Sequence, residues 1–456
     1  MSEHFDAVVI GAGIAGETCA RRLSSAGLRV AVVEQDRVGG ECAFWGRVPS
    51  PTLLGPASEV WRTEQVAGAS SPALARAPGP AAGDMPLSRQ DEHIAARAIE
   101  QAGVTLIRGE ARIVRPGQIA AGDRRLLTEK IVIATGSAPR IPDIPGLAEV
   151  GYWTNREALR FQALPQHVLV LGSEGQAVEM AQMFHLYGVQ VTLVALGADR
   201  LFRYEDPEVS RLLTHHLQRA GMRVVLGQTV SHIAAAESEG GCVASLSDGS
   251  SVHAQAVVAA AGRTARTELL TSDGALGVHL GENGIRVDET CRAAEGIWAI
   301  GDVTGLLPLS HLAQYQANVA ADDLLGHSHP ARYLSVPRVY FTEPQIAATG
   351  LTLESARVEH IKVTSVTVEL KRSVAYVPAE VTAARPAGKL TLHANSRTGQ
   401  LVGAWAVAPD AGEWIHLAVL GLSVGASLEV LYDTMEQYPR FSEPYRVALE
   451  TLRRKL

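Results

Sequence analysis

A single thiol and a guanidinium group stand five residues apart in residues 39–51, which read GGECAFWGRVPSP. The thiol is Cys42 and the guanidinium is Arg47. Dithiol–disulfide exchange needs one thiol to attack and a second to resolve the mixed disulfide. The other cysteines are scattered, without a CxxC pair: Cys19, Cys242 and Cys291. We therefore expect neither a disulfide framework nor a metal site, whereas an arginine can clamp a carboxylate through two parallel hydrogen bonds.

A glycine-rich turn near the N-terminus indicates a dinucleotide site. It comprises a strand at residues 5–10, the glycines Gly11, Gly13 and Gly16, a helix to about residue 26, and a strand at 29–33 that ends in Glu34. Gly11 permits the tight turn, Gly13 lets the backbone approach a pyrophosphate, and Gly16 lets helix and strand pack closely. The helix N-terminus faces the phosphates, and Glu34 can accept hydrogen bonds from ribose hydroxyls.

A second strand–helix–strand unit, HVLVLGSEGQAVEMAQMFHLYGVQVTLV, has an altered glycine pattern. After Gly172, the middle glycine position holds Glu174 and the third holds Ala177, which the motif tolerates. Glutamate adds bulk and negative charge where the backbone should meet a pyrophosphate. The acid expected after the second strand is replaced by Ala195. These changes predict a dinucleotide-binding fold that has lost its ligand. Weak NAD(P)H binding stays open, because Gly175 could restore the turn if the loop shifts.

These motifs resemble those of the pyridine nucleotide–disulfide oxidoreductases, the family of lipoamide dehydrogenase, glutathione reductase and mercuric reductase. Residues 39–51 follow the family segment Gly-Gly-x-Cys-x4-Cys-x-Pro-Ser-Lys, with Arg47 at the second cysteine and Pro51 at the lysine. Residues 130–137 resemble the family's ATG element, and residues 296–304 resemble its second flavin signature. The resemblance implies bound FAD, with these cofactor-binding residues: Gly11, Gly13, Gly16, Glu34, Gly40, Thr135, Gly136, Gly301, Asp302 and His311.

The resemblance covers essentially the whole chain and implies an α/β fold. It predicts two Rossmann-like, glutathione reductase-like dinucleotide-binding domains and an α+β C-terminal dimerisation domain. The expected boundaries are residues 1–148 and 263–335 for a discontinuous FAD domain, 149–262 for a degenerate NAD(P)-binding-like domain, and 336–456 for the interface domain. Family members form homodimers in which the C-terminal segment completes the partner's active site. Alternation over residues 388–408 predicts a hairpin, followed by helices near 411–422 and 428–436.

The C-terminal segment of the family usually reads His-Pro-Thr-x-Ser-Glu. Here Tyr438 takes the histidine position, whereas Glu443 is kept. A tyrosine with an ordinary pKa of about 10 cannot replace the histidine as acid–base near neutral pH. Glu179 matches a family glutamate that pairs with the lysine of the redox segment, which is Pro51 here. With Cys42 alone, disulfide reduction is not expected.

We therefore expect an FAD-dependent oxidase or dehydrogenase. It would take electrons from a small organic substrate, such as a carboxylate of specialised metabolism, directly to FAD and on to O2. Arg47 would bind the carboxylate or stabilise developing negative charge, and Tyr438 and Glu443 of the partner would line the substrate side. The aromatic pair Phe44 and Trp45 could form an apolar wall.

Two alternatives remain open. The first is an NAD(P)H-dependent diaphorase or quinone reductase, and the second is a non-catalytic flavin-bound dimer. In addition, Arg47 could simply pair with an acid such as Glu41, and Tyr438 could simply pack.

Composition excludes several other classes. The 456 residues carry a net charge of −7, which gives no electrostatic footprint for nucleic acid or an anionic membrane. No signal peptide and no apolar run of about 18 residues is recognised, so a cytoplasmic protein is expected. Residues 62–90, rich in Ala, Pro, Gly and Ser, predict a mobile surface segment.

Overall fold

The computed structural model describes residues 2–46, 89–160, 163–236, 240–270, 276–370, 388–435 and 443–456. These residues form two compact units. One contains the described residues between 1 and 47, 84 and 140, and 263 and 332, and the other contains the described residues between 141 and 262 and between 333 and 456. The predictions for Arg47, Pro51, Tyr438 and nearly all of segment 62–90 lie outside the described residues.

The elements are numbered in chain order. The strands are β1 (Ser2–His4), β2 (Ala7–Ile10), β3 (Val30–Glu34), β4 (Thr105–Arg108), β5 (Ala111–Arg115), β6 (Gln118–Ala121), β7 (Arg124–Leu127), β8 (Ile131–Ile133), β9 (Ser137–Pro139), β10 (His167–Leu171), β11 (Gln190–Val194), β12 (Arg223–Val225), β13 (Val230–Ala235), β14 (Cys242–Leu246), β15 (Ser251–Ala254), β16 (Ala256–Ala259), β17 (Arg263–Ala265), β18 (Arg292–Ala294), β19 (Ile297–Ala299), β20 (Arg338–Tyr340), β21 (Gln345–Gly350), β22 (Val363–Glu369), β23 (Lys389–Asn395) and β24 (Leu401–Ala408). The helices are α1 (Ile14–Ser25), α2 (Arg89–Gln101), α3 (Leu147–Val150), α4 (Asn155–Ala158), α5 (Gly175–Leu186), α6 (Pro207–Arg219), α7 (Ser310–Leu324), α8 (Leu353–Val358), α9 (Ala411–Trp414), α10 (His416–Ser423), α11 (Leu428–Tyr432) and α12 (Glu443–Lys455), with a π-helical turn at Cys42–Gly46 and a 3₁₀ turn at Gly301–Thr304.

The first unit is built on a six-stranded sheet in the order β18-β19-β8-β2-β3-β4. Every neighbouring pair from β19 to β4 is parallel. Strands β2 and β3, which read AVVI and VAVVE, are buried along their whole length. Such apolar runs suit central parallel strands, which are covered on both faces. The predicted strand, helix and strand around the first glycine motif are confirmed as β2, α1 and β3.

Two smaller sheets complete this unit. Strands β1, β7, β6 and β5 form a four-stranded sheet, and β9 pairs with β17 in an antiparallel ribbon. Through this ribbon the chain returns at residue 263 to pair with the segment that follows β8. The ribbon therefore joins two segments that are more than a hundred residues apart in the sequence.

The second unit contains a four-stranded parallel sheet in the order β12-β11-β10-β16 and an antiparallel sheet β13-β14-β15. Helix α6 begins with Pro207 at its first turn, a position where no backbone donor is lost. It buries Val209, Leu213 and Leu217, whose spacing of four residues places them on one face. The predicted second strand–helix–strand unit is confirmed as β10, α5 and β11.

A five-stranded sheet in the order β20-β21-β24-β23-β22 lies in the same unit. The predicted hairpin is confirmed as antiparallel β23 and β24. The helix predicted near residues 411–422 is divided into α9 and α10, and the next helix, α11, is shorter than expected. The Trp414 indole donates to the Pro409 carbonyl at 3.1 Å, which anchors the end of α9 before α10 begins. Among the described residues, no helix is long and apolar enough to cross a membrane.

Candidate functional site

The glycine loop between β2 and α1 has the geometry of a phosphate cradle. Gly11 has a φ of +105°, and a Cβ there would lie 2.3 Å from the Ala134 carbonyl oxygen. At Gly16 a Cβ would lie 1.9 Å from the Gly11 oxygen, so both positions exclude any side chain. At Gly13 an added Cβ would meet nothing within 4 Å. Gly13 is also the N-cap of α1 and no side chain caps this helix, so its first N–H groups stay available to an anion.

Glu34 ends β3 with its carboxylate beside the same loop. The residue is 8% exposed; its Oε2 accepts the Ala12 N–H at 2.6 Å and its Oε1 accepts the Asp36 N–H at 2.7 Å. A carboxylate oxygen can accept a further hydrogen bond through its second lone pair. Glu34 therefore has the capacity to bind ribose hydroxyls while it holds the glycine loop.

The segment 39–46 contacts this glycine loop through its first two residues, Gly39 and Gly40. The Gly39 N–H donates to the Ala12 oxygen at 2.8 Å, and Gly39 forms a β-bridge with Gly13. A Cβ on Gly40, which has a φ of +60°, would lie 2.9 Å from the Gly13 Cα. The π-helical turn then starts at Cys42. Two successive glycines thus let the thiol-bearing segment lie directly over the cradle.

Two further segments converge on the same loop. An added Cβ on Gly301, whose φ is +77°, would lie 3.1 Å from the Ala15 Cβ, and the Gly301 N–H donates to Gln316 Oε1 at 2.8 Å. The Ser137 hydroxyl donates to Asp302 Oδ2 at 2.5 Å. Residues 134–135 lie against Gly11, as the short distance above shows. Segments 39–42, 134–137 and 301–302 therefore surround loop 11–16.

Thr135, Gly136 and His311 are the remaining residues that are predicted to bind the flavin. The Thr135 hydroxyl donates to the Arg266 carbonyl at 2.6 Å, and an added Cβ on Gly136, with a φ of +71°, would meet nothing within 4 Å. His311 is exposed on the first turn of α7. These residues fit FAD: an open glycine cradle at a helix N-terminus suits a pyrophosphate, Glu34 suits a ribose, and Asp302 adds a second carboxylate.

Cys42 has no thiol partner. All four cysteines of the sequence lie in the described residues, and all are free. The Ser310 hydroxyl, on the first residue of α7, donates to Cys42 Sγ at 2.9 Å. The other three cysteines are buried, and burial raises the pKa of Cys19 to about 12. An internal disulfide at Cys42 is therefore absent.

The aromatic pair after Cys42 belongs to the interior. Phe44 and Trp45 are 3% and 7% exposed, and the Arg37 guanidinium carbon lies 5.2 Å and 5.5 Å from their ring centroids. A cation over aromatic faces at this distance is attracted to the ring electrons. The two buried rings anchor the π-helical turn, and the prediction that they form an apolar wall of the site stays a prediction.

Arg263 was not among the site residues predicted from the sequence. Its guanidinium donates through Nε to the Ser137 hydroxyl at 2.6 Å and through Nη2 to the Ser137 carbonyl at 2.9 Å. The same group lies 3.4 Å from Glu41 Oε2 and 3.9 Å from Asp302 Oδ2. The pattern AVVAAAGR marks Arg263 only as the end of a strand and turn. Nothing in this local spacing indicates its three partners.

The glycine loop of the second unit keeps its turn but carries a carboxylate. Gly172 has a φ of +149°, and a Cβ there would lie 2.2 Å from the Ala260 oxygen and 2.9 Å from the Ala177 Cβ. Glu174 is the N-cap of α5, yet its side chain does not cap the helix. Its Oε1 accepts the Arg203 N–H at 3.3 Å, and burial raises the pKa of the carboxyl group. Ala195, where a ribose-binding acid is expected, is buried.

Gly175 lies one position after the middle glycine position of the motif. It is the first residue of α5, and a Cβ there would lie 2.4 Å from Tyr340 Cδ1. The Tyr340 hydroxyl donates to Glu205 Oε1 at 3.0 Å, and Arg338 binds both Glu205 oxygens at 2.7 and 2.9 Å. The Tyr340 ring is thus held against the helix start.

Glu179 and Glu443, the two acids at family-motif positions, have different surroundings. Glu179 Oε1 accepts the Phe341 N–H at 2.8 Å, a bond that orients this carboxylate within the second unit. Glu443 is the first residue of α12 and is half-buried. Tyr438, its predicted companion, lies outside the described residues.

Comparisons with known proteins agree with this fold. The model of the pyridine nucleotide-disulphide oxidoreductases matches residues 5–317, and the model of their dimerisation domain matches residues 336–449. A mercuric reductase of Staphylococcus aureus is 32% identical over 460 residues, which cover 98% of this chain and 82% of that protein. A dihydrolipoyl dehydrogenase of Chlamydia trachomatis serovar D is 30% identical over 468 residues, with 97% and 96% covered.

Solved structures resemble the chain over the same extent. LpdA from Mycobacterium tuberculosis superposes with a TM-score of 0.84 at 26% identity and covers 98% of this chain and 99% of its own. The Cu(II) complex of RclA, an HOCl-induced flavoprotein disulfide reductase from Escherichia coli, gives a TM-score of 0.81 at 25% identity with the same coverage.

Proposed function

This chain belongs to the pyridine nucleotide-disulphide oxidoreductase family, and on that premise we propose that it oxidises a small organic substrate directly. Its relatives, among them mercuric reductases and dihydrolipoyl dehydrogenases, indicate an FAD-dependent oxidoreductase. Its dimerisation domain supports a homodimer. In our proposal the electrons pass from the substrate to FAD and on to O2. Disulfide reduction has no part in the reaction, and NAD(P)H has little or none.

The observation on which the proposal depends most is the position of Glu174 at the N-terminus of α5. In a dinucleotide-binding unit this helix end receives a pyrophosphate. A carboxylate there repels the phosphates, and its side chain obstructs the close approach that glycine permits. Ala195 removes the ribose-binding acid as well. Both changes favour a substrate, in place of NAD(P)H, as the source of electrons.

The isolated thiol supports the absence of disulfide reduction. Cys42 meets a serine hydroxyl at 2.9 Å and no second sulfur. A single thiol can form a mixed disulfide with a substrate but cannot resolve it internally. At the position of the second cysteine, Arg47 would instead bind a substrate carboxylate with two hydrogen bonds. Tyr438 and Glu443 of the partner subunit would line the other side.

Residues of this chain would hold FAD in defined ways. The backbone around Gly11, Gly13 and Gly16 would receive the pyrophosphate, Glu34 a ribose, and Asp302 the ribityl chain. When bound, FAD accepts two electrons from the substrate and delivers them to the acceptor. Arg47 would orient the substrate, and its charge would stabilise the negative charge that develops when O2 is reduced.

A second candidate is an NAD(P)H-dependent diaphorase or quinone reductase. It is favoured by the intact turn at Gly172, by the close packing of Ala177, and by the N-terminus of α5, which no side chain caps. If Glu174 moves aside, these features still suit a dinucleotide. The two candidates differ in their electron donor, and this difference can be measured.

The deciding experiment is anaerobic reduction of the purified holoprotein. We expect slow or no bleaching of the flavin by NADH or NADPH, and full bleaching by dithionite. Rapid stoichiometric bleaching at micromolar NAD(P)H would refute direct substrate oxidation and favour the diaphorase. Dithionite titration of the same sample tests the thiol: two electrons per FAD are expected, and four would reveal a redox disulfide.

A further inference from the structure

Arg263 connects the three segments that surround the glycine loop of the first unit. Its guanidinium contacts Glu41 beside the thiol-bearing turn, Ser137 after β8, and Asp302 in the 3₁₀ turn. The same three segments lie against the loop through Gly40, Ala134 and Gly301. One cation thus joins, by side-chain contacts, the chain segments that together enclose the cofactor site.

The contacts form an ordered relay of donors and acceptors. Arg263 donates to the Ser137 hydroxyl, and that hydroxyl donates to Asp302 Oδ2 at 2.5 Å. The Arg263 side chain is 15% exposed, that of Glu41 20% and that of Asp302 25%. At such burial, charges interact more strongly than on an open surface. The guanidinium fork also fixes the direction of each bond, which a lysine cannot reproduce.

Among the described residues, the carboxylates of Glu41 and Asp302 and the guanidinium of Arg263 lie together beside the cofactor site. Reduction of a flavin adds electrons to the ring, and nearby charge changes how favourable that addition is. A cation beside the site favours reduction, whereas a carboxylate opposes it. The charge on Arg263 therefore offsets the charges on Glu41 and Asp302.

We propose that Arg263 is a positioning residue that holds Glu41, Ser137 and Asp302 around the FAD and tunes the flavin's reduction potential. The inference rests on the FAD site of the proposed function but is independent of the substrate and of NAD(P)H. It assigns a role to a residue contributed by β17, where the chain returns from the second unit. Arg263 touches the residues around the cofactor and is not itself a catalytic residue.

The test compares Arg263→Met, Arg263→Lys, Glu41→Gln and the double variant Arg263→Met/Glu41→Gln. Arg112→Met is the matched control, because Arg112 pairs with Glu110 at 3.4 Å on the surface of the same unit with its side chain 75% exposed. The FAD dissociation constant is measured on apoprotein by flavin fluorescence. The midpoint potential of the holoprotein is measured by dye equilibration with a chemical reductant.

We expect Arg263→Met to weaken FAD binding about tenfold or more and to make the midpoint potential more negative. Glu41→Gln should shift the potential in the positive direction, and the double variant should lie between the two. Arg263→Lys should recover most of the potential but less of the affinity, because lysine keeps the charge and loses the fork. Arg112→Met should match the wild type in both measurements.

Two results would overturn the proposal. One is an Arg263→Met protein with wild-type affinity and potential. The other is a shift of the same sign in Arg263→Met and Glu41→Gln, which would indicate general loosening of the site without charge tuning. If Arg263→Met fails to fold, Arg263→Lys still tests positioning through the FAD dissociation constant, and Glu41→Gln still tests charge tuning through the midpoint potential. Wild-type affinity in Arg263→Lys together with a wild-type potential in Glu41→Gln would then overturn the proposal. Rapid bleaching by NAD(P)H would refute the proposed function and leave these results unchanged.

Discussion

Replacing Glu174 by glycine is expected to create an NAD(P)H site in the second unit. The backbone at Glu174 has a φ of −101°, and its side chain makes no capping bond to α5. Glycine is nearly as good an N-cap as the preferred residues and loses only a few tenths of a kcal/mol. The variant should therefore fold like the wild type, so a change in nucleotide binding can be assigned to the removed carboxylate.

The electrostatic part of the expected gain in nucleotide affinity follows from the position of the Glu174 carboxylate. Two unit charges about 4 Å apart interact by about 4 kcal/mol at an effective dielectric constant of about 20. Since Glu174 is half-buried, we take half of this, about 2 kcal/mol, which corresponds to roughly 30-fold in Kd. Glycine also removes the side chain that obstructs the backbone. Relief of that steric overlap should add about 1 kcal/mol or more.

Glu174→Gln separates the two contributions, because glutamine keeps the bulk and loses the charge. We expect it to gain only the electrostatic part. Burial raises the pKa of Glu174, so its proton binds in the folded protein at a higher pH than in an ordinary glutamate. Wild-type affinity for NADH should therefore increase as pH falls through this raised pKa, and Glu174→Gln should lose that dependence. The same shift makes wild-type stability decline as pH rises through it.

The assay is NADH binding by isothermal titration calorimetry, together with anaerobic flavin reduction by NADH. Glu354→Gln serves as the control, because the Glu354 side chain is 74% exposed and its carboxylate lies 3.4 Å from the Arg200 guanidinium, a long ion pair. The expected order of affinity is Glu174→Gly, then Glu174→Gln, then the wild type and the control together. Wild-type affinity in a folded Glu174→Gly variant would refute the prediction that Glu174 prevents nucleotide binding, and it would leave Ala195 as the substitution to test next.

Three further predictions follow from named residues. Arg47→Ala should retain FAD and lose turnover by about 100-fold, with Arg47→Lys intermediate, as measured by oxygen consumption once a substrate is identified; unchanged turnover would leave Arg47 no role in the reaction. Gly16→Ala should destabilise the protein by about 3 kcal/mol or more in thermal unfolding, because its Cβ would lie 1.9 Å from the Gly11 oxygen, whereas Gly13→Ala should keep the fold and weaken FAD binding; equal stability of the two variants would contradict the cradle geometry. Burial and Arg219 lower the pKa of His216 from 6.5 to about 4, so stability should fall as pH drops from 6.5 towards 4, and His216→Gln should flatten that decline in urea titrations; an unchanged slope would exclude this histidine as a source.

The sequence alone determined the two strand–helix–strand units and the first cofactor motif. Alternating and continuous apolar runs indicate strands, and glycines at fixed spacing indicate a turn between strand and helix. These signals act within about thirty residues. The sequence therefore placed Gly11, Gly13 and Gly16 in one turn and Glu34 at the end of the following strand without the structure. The altered loop at Glu174 was visible for the same reason.

Tertiary structure decided which distant residues meet. Arg263 contacts Ser137, which is 126 residues away, and Cys42 contacts Ser310, which is 268 residues away. The Tyr340 ring lies against Gly175, although the two residues are far apart in the sequence. Such contacts depend on sheet order and on the return of the chain through β17, which no local spacing encodes. The motifs therefore predicted the cofactor cradle, whereas the cation that connects its surrounding segments emerged only from the fold.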